Sequence, residues 1–332
     1  MGENRLRVGI LGTGLMAVEM AEAIRTMEHI EVCAAASRSR EGADAFAGKF
    51  PHCRVYETYE ALLCDPEVDL VYVASPHSHH ALHAGMCIDA GKPVLVEKSF
   101  TANAAQARAL LEKARQAGVF LAEAIWPRYM PMAETIRETV WSGVIGKVNA
   151  ISANLGYPVT DKPRILDPER AGGALLDVGI YPLTFVSLIA GDEITGICAQ
   201  AKKADTGVDL EDQIAMTIQS GGREICCNIY ASVNGPSDRT GIVYGTDGYL
   251  IVGNVNNFEW MEIYDRDHRL VKRVPRPEQT QTGYVYQFEA CRHALAAGLK
   301  ECPQMPHHEI LTMMEILDQI RRKMGVTYPF EA

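Results

Sequence analysis

The sequence predicts an α/β protein: a doubly wound parallel sheet followed by an α+β domain built on a large, mostly antiparallel, open sheet. Three observations predict it. Strand-like and helix-like segments alternate over residues 1–125, the pattern of a parallel sheet with helices on both faces. The first strand runs through a glycine turn into a helix at Gly12-Thr13-Gly14-Leu15-Met16-Ala17. From residue 146 onward the segments lengthen, alternate apolar with polar residues, and are joined by hairpin signals. The expected domains are therefore 1–125 and 126–332, with the last helices free to pack back on the first domain.

Length and composition bound the class. A chain of 332 residues suits two domains. Apolar content of 47% and charged content of 22% are those of an ordinary globular protein. A formal charge of −10 argues against nucleic acid or an anionic membrane as partner. No apolar run approaches the roughly 20 residues of a membrane span, and the first strand is too short for a signal-peptide core. Leu6 stands where N-myristoylation needs Ser or Thr. The expected location is the cytoplasm. The nine cysteines contain no C-x-x-C, so neither a disulfide scaffold nor a zinc site is expected. The vicinal Cys226 and Cys227 are expected on opposite faces of one strand.

In the first domain, residues 8–11 form an apolar run without alternation, a buried parallel strand. Gly12 permits a tight turn, and Gly14 lets a pyrophosphate approach the backbone. Ala17 is the third small residue of a dinucleotide fingerprint, and the helix start favours the anion. The helix follows over 16–27. Next come a strand at 30–36, a helix at 42–50, a short strand at 54–56 and a helix at 58–64. A buried strand at 69–74, a helix at 81–90, a strand at 93–96, a helix at 102–117 and a strand at 119–124 complete the alternation. In the second domain, helices are expected at 132–142 and 172–190. Strands are expected at 148–155, 195–202, 213–219, 223–231, 239–244, 249–252 and 259–264. Gly221-Gly222 marks a hairpin and Thr246-Asp247-Gly248 a turn. Residues 254–257 and 273–282 read as loops, and helices at 284–296 and 307–324 end the chain.

Candidate chemistry collects at strand ends, where doubly wound sheets bind ligands. After the second strand, where an acidic residue would receive a ribose hydroxyl, stand Ser37, Arg38 and Arg40. A hydroxyl and guanidinium groups suit a 2′-phosphate, which favours NADP over NAD. After the fourth strand come Ser75, Pro76, His77 and His80, with His79 and His83 nearby. The four histidines lack a supporting carboxylate or thiolate, so no metal is expected. One or two of them are expected to line a nicotinamide pocket and the others to be solvated. Glu97 and Lys98 follow the fifth strand, and Trp126 and Arg128 the sixth. Asp177 and Tyr181, four residues apart, would share one helix face.

Taken together these motifs resemble the Gfo/Idh/MocA oxidoreductase family over essentially the whole chain. The resemblance rests on the N-terminal G-x-G-x-x-A, Ser75-Pro76-x-x-x-His80, the run 91–98 ending in Glu97-Lys98, and Gly172-Gly173-Ala174-Leu175-Leu176-Asp177-x-Gly179-x-Tyr181. Two departures stand out. Ser99 replaces the usual proline after the lysine, and Tyr181 and Thr184 stand where many members carry His and Asp. Tyr181 together with Glu123-Ala124-x-Trp126-x-Arg128-Tyr129-x-Pro131 is similar to the branch of dihydrodiol and NADP-dependent aldose dehydrogenases.

The resemblance implies hydride transfer between a nicotinamide and a CH–OH group of a sugar, polyol or cyclic diol. It also implies a homo-oligomer, dimer or tetramer. A free tyrosine, with a pKa of about 10, is a poor base at neutral pH. A nearby Lys98 ammonium would favour the phenolate and make Tyr181 a usable acid/base. Asp177 is expected to bind substrate or steer Lys98, and Trp126 and Arg128 to wall the nicotinamide and substrate pocket. Pro158, Asp161 and Arg164 are the expected specificity contacts. The rival readings are an NAD-dependent enzyme acting on a ring hydroxyl of a glycoside or inositol, and a non-catalytic NADP-binding regulator.

Overall fold

In the computed structural model, which describes residues 5–277 and 282–331, the chain divides into two compact units. One is Met1–Ile125 with Thr280–Leu311; the other is Trp126–Gln279 with Thr312–Ala332.

The first unit follows the predicted alternation closely: β1 (Leu6–Leu11), α1 (Leu15–Arg25), β2 (Ile30–Ala36), α2 (Arg40–Lys49), β3 (Arg54–Tyr56) and α3 (Tyr59–Leu63). It continues with β4 (Leu70–Val73), α4 (His80–Asp89), β5 (Val94–Glu97), α5 (Ala104–Ala117) and β6 (Leu121–Ala124). The six strands are parallel in the order β3-β2-β1-β4-β5-β6. The order reverses between β1 and β4, which places the glycine turn after β1 and the segment after β4 at the switch point. The central strands β4 and β5, and the edge strand β6 with them, are buried throughout and show no solvent alternation. α1 buries Ala17, Met20, Ala21, Ala23 and Ile24, a small-residue stripe that lets it lie close to the sheet. α8 (Val285–Ala296) belongs to this unit, with Phe288 edge-on to Tyr72 at 5.7 Å between ring centroids.

The second unit holds α6 (Pro131–Trp141), β7 (Val148–Gly156), α7 (Ile180–Ala190), β8 (Ile194–Lys203), β9 (Asp209–Ser220) and β10 (Arg223–Ser232). Four further strands follow, β11 (Gly241–Gly245), β12 (Gly248–Gly253), β13 (Trp260–Asp265) and β14 (Leu270–Pro275). They form one sheet in the order β14-β13-β12-β11-β7-β10-β9-β8, antiparallel except for β10 beside β7. The expected turns at Gly221-Gly222 and at 246–248 join β9 to β10 and β11 to β12. Cys226 is exposed and Cys227 buried, as alternation along β10 requires. α7 lies against β7 and β10, and α9 (His307–Met324) is followed by a single 3₁₀ turn at Pro329–Glu331.

Three expectations need correction. Part of the segment expected as loop over 273–282 is strand β14; residues 278–281 lie outside the described residues. β14 is an edge strand with Leu270, Val271, Lys272 and Arg273 all exposed, so it has no burial period to read. Residues 172–190 hold the expected helix as α7, but it is entered through a turn and a π-helical segment at Leu175–Gly179, so Asp177 and Tyr181 do not share one regular helical face. Pro182 has no N–H to return to the Val178 carbonyl, so the regular ladder fails there and the turn widens. Finally, Pro168–Ala190 is long and apolar enough to cross a membrane by length and composition, contrary to the expectation of no such run. In the fold, 89% of its apolar window is buried, the mark of a core helix.

Candidate active site

The glycine turn ends β1 with Gly12 at φ +98°, a conformation that L side chains rarely adopt, and a Cβ there would lie 3.0 Å from the Ala74 carbonyl oxygen. At Gly14, the residue preceding α1, a Cβ would meet nothing within 4 Å, so the space above the helix start is open. No side chain caps α1 and its first turn holds no acidic residue, while Leu15 is exposed and Met16 half-buried. The N–H groups of that turn and the positive end of the helix therefore suit a pyrophosphate.

Thr13 Oγ1 donates to Ser37 Oγ at 2.9 Å, tying this turn to the end of β2. Ser37 is buried, and its hydroxyl also accepts from Ser39 N. Arg38 lies over the Tyr59 ring at 6.0 Å. Arg40 is exposed beside Asp44 at 3.6 Å and Glu57 at 3.8 Å, pairs loose enough to yield to a phosphate.

Behind β4, Ser75 and Pro76 are half-buried, and the histidines do not divide as expected. His77, His80 and His83 are all buried, and His79 is half-buried. His80 Nδ1 faces the Ser99 carbonyl oxygen at 2.8 Å and its Nε2 faces the Ser75 carbonyl oxygen at 2.7 Å. Burial pushes the ring down to about 4 although both carbonyls favour the doubly protonated form. His83, hydrogen-bonded to Ser75 Oγ at 2.9 Å, is likewise pushed by burial to about 4. Among the described residues no three His, Cys, Asp or Glu side chains gather as a metal site.

The His80 contact pins the segment that carries Lys98. Tyr72 donates to Glu97 on one side of the lysine, and Phe100 N donates to Glu123 Oε1 at 2.9 Å on the other. The Lys98–Ser99 peptide bond is cis. Lys98 itself is half-buried. Glu123 stands in the motif after the fifth helix but carries no expected role there; a lone charge inside the buried strand Leu-Ala-Glu-Ala is the signal of one.

In the second unit, Tyr181 and Trp126 are 7% and 6% exposed, and Trp126 Nε1 donates to the Tyr181 hydroxyl at 3.1 Å. The rings meet edge to face, 6.4 Å between centroids. Trp126 therefore touches the tyrosine directly rather than only walling a pocket. The Tyr181 oxygen accepts an N–H, which supports negative charge on it.

Asp177 sits in the π-helical segment before α7, so its relation to Tyr181 is not the regular i, i+4 of one α-helical face. Arg164 Nη1 donates to Asp177 Oδ1 at 2.8 Å. Gly172 makes this pairing possible: a Cβ there would lie 2.4 Å from the Ile165 carbonyl oxygen and 2.7 Å from that of Arg164. Arg128 and Arg164 are half-buried, and Pro158 and Asp161 are exposed.

Fold and site define a two-domain oxidoreductase with a dinucleotide-binding first domain. The chain belongs to the GFO/IDH/MocA family: residues 6–124 match the family's NAD-binding Rossmann-fold model and residues 133–251 its C-terminal domain model. It is 34% identical to trans-1,2-dihydrobenzene-1,2-diol dehydrogenase of Macaca fascicularis over 98% of both chains. The human enzyme of the same name is 32% identical, again over 98% of both. The crystal structure of KijD10, a 3-ketoreductase from Actinomadura kijaniata, in complex with NADP and TDP-benzene superposes with a TM-score of 0.85. That structure is 26% identical and aligns over 97% of this chain and 98% of its own.

Proposed function

We propose that this chain is an NADP-dependent dehydrogenase that oxidises a CH–OH group of a cyclic diol, pyranose or small polyol, with Tyr181 as the acid/base and Lys98 as its electrostatic partner. The observation that carries the reading is the buried Tyr181 hydroxyl accepting the Trp126 indole N–H. The N–H directed at the phenol oxygen stabilises negative charge there while a proton is exchanged with a bound alcohol. NADP, when bound, supplies the hydride acceptor.

The chain's own residues do the rest. Gly12, Thr13, Gly14, Leu15 and Met16 seat the pyrophosphate at the start of α1. Ser37, Arg38 and Arg40 receive the 2′-phosphate. Ser75, Pro76, His77, His80, Glu97, Trp126 and Arg128 shape the nicotinamide site. Tyr181 takes the proton of the substrate hydroxyl as hydride leaves the same carbon, and the Lys98 ammonium favours the phenolate and orients that hydroxyl. Asp177, held by Arg164, accepts a hydrogen bond from a neighbouring hydroxyl of the substrate, which suits a vicinal diol. The diol dehydrogenase relatives and the NADP-bound ketoreductase support substrate class and cofactor. The solvent-facing side of the second sheet, around Asn154, Gln213 and Tyr230, is the face on which we place a second copy in a cytoplasmic homo-oligomer.

Nicotinamide absorbance of the purified protein with NADP⁺ or NAD⁺ and a panel of trans-diols, aldoses and inositols tests the reading. Turnover of a diol or aldose with NADP⁺ is expected. Turnover of an inositol with NAD⁺ alone would replace it with the glycoside or inositol reading, and cofactor binding without any turnover with the regulator.

A further inference from the structure

Asp209 and Asp212 stand at the start of β9, and both carboxyls are completely buried. Further along the strand Ile214, Met216 and Ile218 occupy the covered face in alternation, so Asp212 fills a position that the pattern reserves for an aliphatic side chain. Asp209 Oδ2 accepts the Leu175 N–H at 2.5 Å, at the start of the π-helical segment that leads to Asp177 and Tyr181. Gly173, at φ +114°, brings the turn so close that a Cβ would fall 2.2 Å from Asp209 Oδ1. From the other end the buried Tyr328 hydroxyl donates to the Gly172 carbonyl at 3.0 Å.

Among the described residues, Asp209 Oδ1 and both oxygens of Asp212 have no hydrogen-bond donor. Two adjoining ionised carboxylates in a core repel and are heavily penalised by burial. Among the described residues no cation pairs with them: Lys203, opposite Asp209 in the β8–β9 register, donates to the Gly325 carbonyl instead. Arg321 lies over the Tyr328 ring at 4.6 Å, but its Nη atoms are engaged by Asp318 and Glu331. On the neighbouring strand Lys202 pairs with Glu211, and Arg164 is spent on Asp177. What the cluster lacks is one proton.

We propose that Asp212 is kept as a neutral carboxylic acid that donates its proton to Asp209, leaving Asp209 the ionised acceptor that fixes the Gly172–Leu175 turn and hence the start of the helix bearing Tyr181. The two are positioning residues. Burial and the neighbouring Asp209 charge both push the Asp212 carboxyl well above the usual range. Burial also raises Asp209, but the hydrogen bond from the Leu175 N–H opposes the shift and makes it the more acidic of the pair. Tyr328 is pushed up as well and stays a neutral donor. The catalytic consequence rests on the reading of Tyr181; the shared proton does not.

Infrared spectroscopy of the intact protein with isotope-labelled aspartate tests the proton. At neutral pH a protonated-carboxyl band is expected in the wild type and in Tyr181→Phe, and none in Asp212→Asn. Absence of the band from the wild type overturns the proposal whatever the enzyme turns over. Steady-state kinetics test positioning: Asp212→Leu should lose about tenfold in kcat, with KM for NADP⁺ unchanged, and Asp212→Asn, which keeps an N–H donor, should restore most of it. Wild-type kcat in Asp212→Leu, or an equal loss in both variants, overturns the positioning role. If the leucine variant fails to fold, the band and the kinetics of Asp212→Asn still decide.

Discussion

Trp126 Nε1 lies 3.1 Å from the Tyr181 hydroxyl oxygen, and both side chains are buried in the second unit. An indole N–H can only donate, so the tyrosine must accept, and its own O–H points elsewhere. The bond grows stronger as the oxygen becomes anionic. Trp126→Phe keeps the ring and removes the donor. It should lower kcat about tenfold, or ~1.4 kcal/mol, and move the acidic limb of the kcat/KM profile to higher pH. An unchanged profile would show that the indole only packs.

The Arg164–Asp177 pair joins a half-exposed guanidinium to a nearly buried carboxylate at 2.8 Å. Exposure of the arginine limits its contribution to stability. Arg164→Ala should cost about 1 kcal/mol in urea unfolding. Its larger effect should be on KM for the diol, because Asp177 loses the partner that orients it. A double-mutant cycle with Asp177→Asn should show coupling in KM, and strict additivity would separate the two residues.

Cofactor preference should reside at the end of β2. Among the described residues Arg38 has no carboxylate partner and lies over the Tyr59 ring at 6.0 Å, and the carboxylate pairs of Arg40 are long and exposed. Both guanidinium groups are thus available to a phosphate. Replacing both with alanine should raise KM for NADP⁺ by about tenfold or more and leave that for NAD⁺ nearly unchanged. Equal losses for the two cofactors would place the 2′-phosphate elsewhere.

Acid sensitivity should follow the buried histidines. His80 and His83 are held near 4 by burial, below an unfolded value of about 6.5. Between those values the unfolded chain binds more protons than the native one, so stability falls as pH drops from about 6.5 through 4. For the fully buried His80 the loss is on the order of 3 kcal/mol at most. Urea midpoints across that range should fall with acid, and His83→Gln should flatten part of the slope. A profile that is flat above pH 5 would mean that these rings are protonated in the native state.

The first domain was nearly all legible because buried parallel strands and capped helices announce themselves locally. β2 and β3 match their predicted bounds, and the glycine turn at Gly12 sits at the switch point of the strand order. The second domain was legible wherever one face of a strand is covered, as at Ile214, Met216 and Ile218, and illegible at the edge, where β14 buries no residue. The candidate site residues come from motifs, whereas the roles of their supports do not. Glu123, Asp209 and Tyr328 act through tertiary contacts 23 to 156 residues away along the chain, which no local pattern records. Asp209 and Asp212 even hid the start of β9, because an acidic run reads as loop until its cover is known.

The most direct test of the central claim is Tyr181→Phe, assayed for NADPH formation from a trans-diol and an aldose beside a measurement of NADP⁺ affinity. The account predicts loss of turnover by at least about two orders of magnitude, with cofactor affinity unchanged. Turnover within a few-fold of wild type would contradict it and move the acid/base to another group.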